Sequence, residues 1–250
     1  MSFIYKLKYY LCYNDVGCDY MSKPIIGIVA KHYRKKGLRL ETFIRDEVEQ
    51  AIFDNGGVSI GILPPNEDKI VAKDDWNENL TTTEKQNLYA QIALCDGIIL
   101  QGGGFVDEYE CFIAKYCHDY DIPLLGICAG KHNMVRALNG KIGKLDHKNH
   151  DSQENYVHSI SIKSDSLASK IFKNKELMVN SRHMRYSLDV GSLKITALSP
   201  DGIDEIVEDE KNTFYVGVQF HPESLYKRDE NMKNLFLYFL DTCINKSGKK

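Results

Sequence analysis

No cysteine pair in this 250-residue chain follows a CxxC or Cys/His metal spacing, although the chain holds seven cysteines. Cys12, Cys18, Cys95, Cys111, Cys117, Cys128 and Cys243 are odd in number and irregular in spacing. That pattern argues against a disulfide framework and against a zinc site, and the expectation is no metal. A reducing, cytoplasmic setting fits it best. Long hydrophobic runs are also missing: none approaches the ~20 residues of a membrane span. Nor is there an excess of one charge. Against 35 Asp+Glu stand 32 Lys+Arg, a net charge of −3 that suggests no nucleic-acid-binding surface. The short cluster Lys31, Arg34, Lys35 and Lys36 reads as a solvated loop, and residues 246–250 as a basic, frayed tail. Residues 1–20 lack the continuous apolar core and small-residue cleavage site of a signal peptide. They are read as an N-terminal extension, with the functional domain running over 21–245. Within it there is no internal repeat, low-complexity linker or second boundary.

What is present is an alternation of strands and helices. Residues 24–30, 58–63, 97–100 and 122–127 are short apolar runs that read as buried strands. Between them, 45–55, 83–94 and 109–118 read as helices, the first with Val48, Ala51, Ile52 and Phe53 as its apolar face. Continuous apolar strands separated by helices predict an α/β fold with a parallel sheet covered on both faces. Later the pattern changes. Residues 158–162 and 194–199 alternate like half-exposed strands, and 203–208 with 214–219 resemble a strand pair joined through 210–212. A long amphipathic helix over 230–244 closes the chain, with Met232, Leu235, Phe236, Phe239 and Leu240 inward.

The segment Leu124-Leu-Gly-Ile-Cys-Ala-Gly130 combines a strand, a G-x-C-x-G turn and a predicted helix over 131–138. That describes a nucleophile elbow: the turn is tight enough to demand small flanking residues, and it presents the side chain at the sheet's carboxyl edge. The helix N-terminus beside it favours a thiolate. On this segment alone a buried structural cysteine is an equal reading. Two further segments bear on the choice. Leu100-Gln-Gly-Gly-Gly104 ends the strand expected beside the elbow, where glycines let backbone N–H groups approach a ligand, although a flexible loop fits as well. Gly217-Val-Gln-Phe-His-Pro-Glu223 ends a strand in a histidine with a carboxylate two residues on. A lone histidine at a strand end is more often structural. With an elbow cysteine it can act as base and acid, oriented by the carboxylate. His32, His118, His147, His150 and His158 have no partner visible in the sequence, and most of them read as surface or loop residues. Cys95, Cys111 and Cys117 read as core or partly buried small hydrophobes.

GICAG at 126–130 together with GVQFHPE at 217–223 resembles the class I glutamine amidotransferase-like superfamily, and within it the peptidase C26 group of γ-glutamyl hydrolases. The likeness extends over most of 24–240. It takes in Pro24-Ile-Ile-Gly-Ile-Val29, Asp96 to Gly104 (with Gln101 where proline is usual) and Val179-Asn-Ser-Arg-His183. The resemblance implies a flavodoxin-like fold, mostly parallel, with a small antiparallel section before the catalytic histidine. It implies a triad in which Cys128 is nucleophile, His221 base and acid, and Glu223 the orienting carboxylate. The backbone amides of Gly102 and Ala129 would form the oxyanion hole, and no cofactor is needed. The substrate would be a small-molecule γ-glutamyl amide, cleaved through a γ-glutamyl thioester to release glutamate. Gly103, His132, Ser181, His183 and Arg185 are the expected substrate contacts, and Arg182 or Arg185 the expected partner of an anionic group. His132 stands where the family often has glutamine, and Met184 and Arg185 where His or Gln is common. Two alternatives stay open: a glutaminase subunit passing ammonia to a partner synthetase, and a non-catalytic member that binds a γ-glutamyl ligand. A homodimer is admitted; neither membrane nor nucleic acid is an expected partner.

Overall fold

A computed structural model describes residues 23–34, 40–65, 70–71, 79–103, 106–146 and 148–248. The expectations for residues 1–20, Lys35, Lys36, Gly104 and His147 lie outside them.

The main sheet has nine strands: β1 (Ile25–Val29), β2 (Val58–Ile62), β3 (Gly97–Leu100), β4 (Leu124–Ile127), β5 (His158–Ile162), β6 (Glu176–Val179), β7 (Lys194–Leu198), β8 (Asp204–Glu208) and β9 (Tyr215–Val218). Their order is β6-β5-β7-β8-β9-β4-β3-β1-β2. From β2 to β9 every pairing is parallel. From β9 to β6 every pairing is antiparallel, so the antiparallel section is four strands wide beyond β9. β1, β3, β4 and β9 are almost wholly buried, as strands covered on both faces must be. Ladder register places Leu100 beside Gly126 and Val218 beside Ile127. The ends of β3, β4 and β9 therefore open at one edge, where ligands of such sheets bind.

Among the described residues six α-helices cover the sheet: α1 (Asp46–Asp54), α2 (Thr82–Ile92), α3 (Glu108–Asp119), α4 (Ala129–Ala137), α5 (Leu167–Phe172) and α6 (Glu230–Ser247). One core holds the apolar faces of α1, α5 and α6, including Val48, Ile52, Phe172, Phe236 and Phe239. The other holds those of α2, α3 and α4, including Leu88, Ile113, Met134 and Val135. The cores lie on opposite faces because the strands alternate side chains: Ile26 and Ile28 join the first, Ile98 and Leu100 the second. A capping box between Thr81 and Glu84 starts α2. Asp46, Glu47 and Glu49 in the first turn of α1 suit its dipole. No helix among the described residues is long and apolar enough to cross a membrane.

Several surface assignments are corrected. Phe53 is 67% exposed, because it stands about 100° round the helix from Ile52 and so leaves the Val48–Ala51–Ile52 face. Lys31 is in a short strand (Lys31–Arg34), only 2% exposed, with its ammonium on the buried Glu110 carboxylate at 2.7 Å. His32 is buried against Tyr109. His118 sits between Asp119 and Asp209, at 3.1 and 3.0 Å. The last helix continues through Lys246 and Ser247, so the basic end begins as helix. A strand pair, Lys141–Lys144 with Arg185–Asp189, packs beside the main sheet and has no counterpart in the expected elements.

Candidate active site

The turn after β4 is the elbow that the sequence predicts. Cys128 has φ 51° and ψ −104°, a backbone conformation that costs an L-residue about 1–3 kcal/mol and recurs where a side chain must be presented to a ligand. Its N–H donates to the Val218 carbonyl at 2.8 Å, which ties Cys128 to β9. The flanking glycines are required by close approach. A Cβ on Gly126 would lie 2.3 Å from Met134 Sδ, and one on Gly130 only 2.1 Å from the Leu100 carbonyl oxygen. Helix α4 begins at Ala129, so the first N–H groups beside the sulfur have no intrahelical partner.

β9 delivers His221 from the other side. Its Nδ1 is 2.7 Å from Glu223 Oε1, and both side chains are nearly buried. Burial lowers the basicity of His221, but the Glu223 carboxylate and then Cys128 outweigh it and raise the imidazole to about 10. Gly102 closes the third side: a Cβ there would lie 2.8 Å from His221 Cε1 and 3.6 Å from Cys128 Cβ. The backbone of His221 is held independently of its ring. Asn180 accepts from the His221 N–H and donates to its carbonyl, both at 2.8 Å.

A cavity of about 410 Å³ opens over this pair. Cys128, His221, Glu223 and Gly103 line it, joined by Arg45, Glu47, Gln153, Arg182 and Ser224. Of the expected substrate contacts, Gly103 and Arg182 reach the cavity. Arg185 is exposed on the strand Arg185–Asp189 and does not line it. Ser181 and His183 are buried elsewhere: Ser181 Oγ donates to the His150 carbonyl at 3.0 Å, and His183 Nδ1 meets the Arg185 carbonyl at 2.9 Å. Burial lowers His183 to about 4, leaving it neutral at pH 7.

His132 sits behind the sulfur. Its Nε2 is 2.8 Å from Gln219 Oε1, which also accepts from Lys131 Nζ at 2.8 Å. Burial first, then Lys131 and Arg136, hold His132 well below its ordinary value, so its ring is neutral and its Nε2–H donates. With the Gln219 oxygen committed to these two donors, its amide nitrogen faces Cys128 Sγ at 3.7 Å. Gln219 thus presents an N–H to the Cys128 sulfur. Lys131, fully buried, also donates to the Asp204 carbonyl at 2.7 Å and is ion-paired with the Asp204 carboxylate.

Two of these roles carry only a faint sequence signal. Gln219 lies inside the Gly217–Glu223 segment, but its orientation depends on residues nearly ninety positions away. Arg45 is fixed by Gln101, the residue standing where proline is usual. Gln101 Oε1 accepts from the Arg45 N–H at 2.8 Å, and Gln101 Nε2 donates to the Val29 and Phe43 carbonyls at 2.9 and 3.1 Å.

Glu223→Gln tests the electrostatics. His221 is raised, so its protonated form stabilises the fold fully below about 6.5, and this contribution is lost as pH rises through about 10. If the chain has the γ-amide hydrolase activity that the sequence resemblance implies, the alkaline limb of its kcat/KM is expected near that upper value. Removing the Glu223 charge should bring it down toward neutrality and cost about 10²–10⁴ in rate. An unmoved alkaline limb in this variant would show that Glu223 does not govern His221.

A sequence model of the Peptidase C26 family matches residues 105–223, a segment that includes Cys128, His221 and Glu223. A CTP synthase from Staphylococcus saprophyticus is 27% identical across 210 aligned residues, covering 70% of this chain; the chain spans only 39% of that relative's length. Among solved structures, a candidate GMP synthase subunit from Thermoplasma acidophilum superposes with a TM-score of 0.64 at 16% identity, covering 90% of this chain and 96% of its own. The glutaminase domain of the Trypanosoma brucei CTPS, with acivicin bound, superposes with a TM-score of 0.60 at 16% identity, over 89% of this chain and 94% of its own. The sheet order agrees with these likenesses: the chain has the flavodoxin-like α/β fold of these solved structures, and the segment that matches the Peptidase C26 family includes Cys128, His221 and Glu223.

Proposed function

We propose that the chain hydrolyses the γ-amide of glutamine through a Cys128 thioester, acting as a glutaminase that supplies ammonia to a synthetase. The observation that carries this reading is the buried set Cys128, His221 and Glu223 at the foot of one cavity, with His221 2.7 Å from Glu223. The sulfur attacks the γ-carbonyl carbon, a C–S bond forms, and the oxyanion is met by the amides of Gly102 and Ala129. His221 gives its proton to the departing nitrogen as the C–N bond breaks, and ammonia leaves. Water, deprotonated by His221, then attacks the thioester, breaks the C–S bond and releases glutamate. Arg45 and Arg182 supply positive charge at the cavity wall for the substrate's α-carboxylate, and Glu47 a counter-charge for its ammonium. Two findings support the glutaminase sense in particular: the curated relative is a CTP synthase, and one structural neighbour is a CTPS glutaminase domain.

The Peptidase C26 match supports a second reading, hydrolysis of a substituted γ-glutamyl amide. One experiment separates the two. Purified protein is offered glutamine and a panel of N-substituted γ-glutamyl amides, with release of ammonia, amine and glutamate measured and the Cys128→Ala protein as blank. The glutaminase reading expects the highest kcat/KM on glutamine and stimulation by a synthetase partner. A substituted amide preferred by tenfold or more replaces it with the second reading. Failure of the whole panel, together with no labelling of Cys128 by a glutamine-like electrophile, removes both.

A further inference from the structure

Behind the cavity, three imidazoles converge on one buried carboxylate. Glu205, on β8, is fully buried, and neither of its carboxylate oxygens makes a hydrogen bond among the described residues. A bare buried carboxylate is among the least favourable groups a fold can hold. Its Oε1 stands 3.7 Å from His150 Nδ1, 3.6 Å from His158 Nε2 and 3.7 Å from His183 Nε2. These separations are too long for hydrogen bonds.

The outer nitrogen of each ring faces an acceptor. His150 Nε2 is 3.0 Å from Asp201 Oδ2, His158 Nδ1 is 3.2 Å from the Ser159 carbonyl, and His183 Nδ1 is 2.9 Å from the Arg185 carbonyl. An acceptor outside places the ring proton outside, so the inner nitrogens turn lone pairs toward the carboxylate oxygen. Carboxylates and carbonyls in that outer position are what fix the tautomer of metal-bound histidines. Near the centre, His158 Nε2 and His183 Nε2 make no hydrogen bond among the described residues. Ser181 Oγ lies 3.2 Å from His150 Nδ1, but its proton can serve the His150 carbonyl at 3.0 Å instead. Lone pairs gathered in this way repel unless a proton or a metal cation lies between them. The spacing suits one: ligand atoms of a tetrahedral zinc stand about 3.3–3.5 Å apart, given bonds of ~2.0–2.1 Å. One ligand atom each from His150, His158 and Glu205 lies within 4.8 Å of the others. The charge is also balanced, since Asp201 backs His150 and the nearby Lys131 is already paired with Asp204.

We propose that His150, His158 and Glu205 bind one divalent transition-metal ion of the zinc class, with His183 beside Glu205 at the edge of the site. The site joins elements far apart in sequence: the segment that precedes β5, the first residue of β5, the turn after β6, and β8. It is a positioning site, not a catalytic one. Ser181 and His183 follow Asn180 on the same turn, and Asn180 holds the His221 backbone on both sides. The metal therefore braces the support of the catalytic histidine, whatever amide the cavity takes.

The test uses the full chain, stripped with a chelator and titrated with Co²⁺ and then Zn²⁺. The expected result is one cobalt per chain, with the visible bands of a four-coordinate N/O site, displaced by zinc. The Tm should fall on chelation and recover with zinc. Glu205→Gln keeps the side-chain volume, and His158→Gln changes the partly exposed edge of the cluster, 13% accessible. Each should weaken cobalt binding by more than the ~10–100-fold that altering a ligand's outer partner produces. Circular dichroism checks the fold of both, and if one does not fold the other decides. The proposal is overturned if folded wild type takes up no stoichiometric cobalt, or if a folded variant binds it as tightly as wild type.

Discussion

Replacing Cys128 with alanine is expected to reduce γ-amide hydrolysis by about 10⁴-fold or more, to the level that oriented donors alone provide. In the proposed mechanism the sulfur forms the covalent bond, and no other thiol or hydroxyl is among the residues lining the cavity except Ser224, whose Oγ is committed to the His221 carbonyl at 3.0 Å. His221→Ala should cost a similar factor, and the double variant little more, because the two act as one unit. The backbone adds a sharper expectation. At φ 51° and ψ −104° any side chain at 128 is strained, whereas glycine is not. Cys128→Gly should therefore be as inactive as Cys128→Ala yet melt higher than it, by the equivalent of about 1 kcal/mol or more, ~2–4 °C at this size. Thermal melts of the two variants beside their residual rates decide the point. Turnover surviving in either variant removes the thioester mechanism, and equal melting temperatures remove the claim of a strained elbow.

Much of this arrangement is legible in the sequence because its signals are local. A four- to five-residue apolar strand must be buried on both faces, and glycines around a single cysteine leave few conformations open. β1, β3, β4 and β9 and the positions of Cys128 and His221 follow from that. Signals that depend on distant partners are not legible. Lys31 reads as a surface lysine until Glu110, 79 residues on, neutralises it in the core. His150, His158, His183 and Glu205 share no spacing that a metal motif would display; the antiparallel flank and the turn after β6 bring them together. The role of His132 appears only when Gln219 is seen between it and the sulfur. Short elements such as α5 and the pair Lys141–Lys144 with Arg185–Asp189 escape for another reason. Four to six residues carry too little periodicity to separate helix, strand and loop, and packing decides, against α6 for α5 and against α4 for the strand pair.

Gly130→Ala is expected to damage the protein out of proportion to one methyl group. In an open helix position the change would help by up to ~1 kcal/mol, since alanine is the better helix former. Here the new Cβ would lie 2.1 Å from the Leu100 carbonyl oxygen and 2.7 Å from its carbon, both backbone atoms that cannot swing aside. Either α4 or the end of β3 must withdraw by about an ångström. Forced overpacking costs ~1–3 kcal/mol even where side chains can adjust, so the clash outweighs propensity and the net loss is about 3 kcal/mol. At this chain length that corresponds to a Tm lower by ~6–12 °C. The same withdrawal separates Ala129, at the start of α4, from Gly102, just past β3, and these are the two amides proposed to share the oxyanion. Misplacement by an ångström can cost ~10² in rate, so kcat should fall by that order in the fraction that remains folded. Gly61→Ala is the control: its added methyl would meet only the tip of the Ile44 side chain, at 3.0 Å. If Gly130→Ala melts within about 2 °C of wild type while turning over glutamine normally, the elbow does not depend on the contact between α4 and β3, and the oxyanion assignment to Gly102 and Ala129 loses its structural basis.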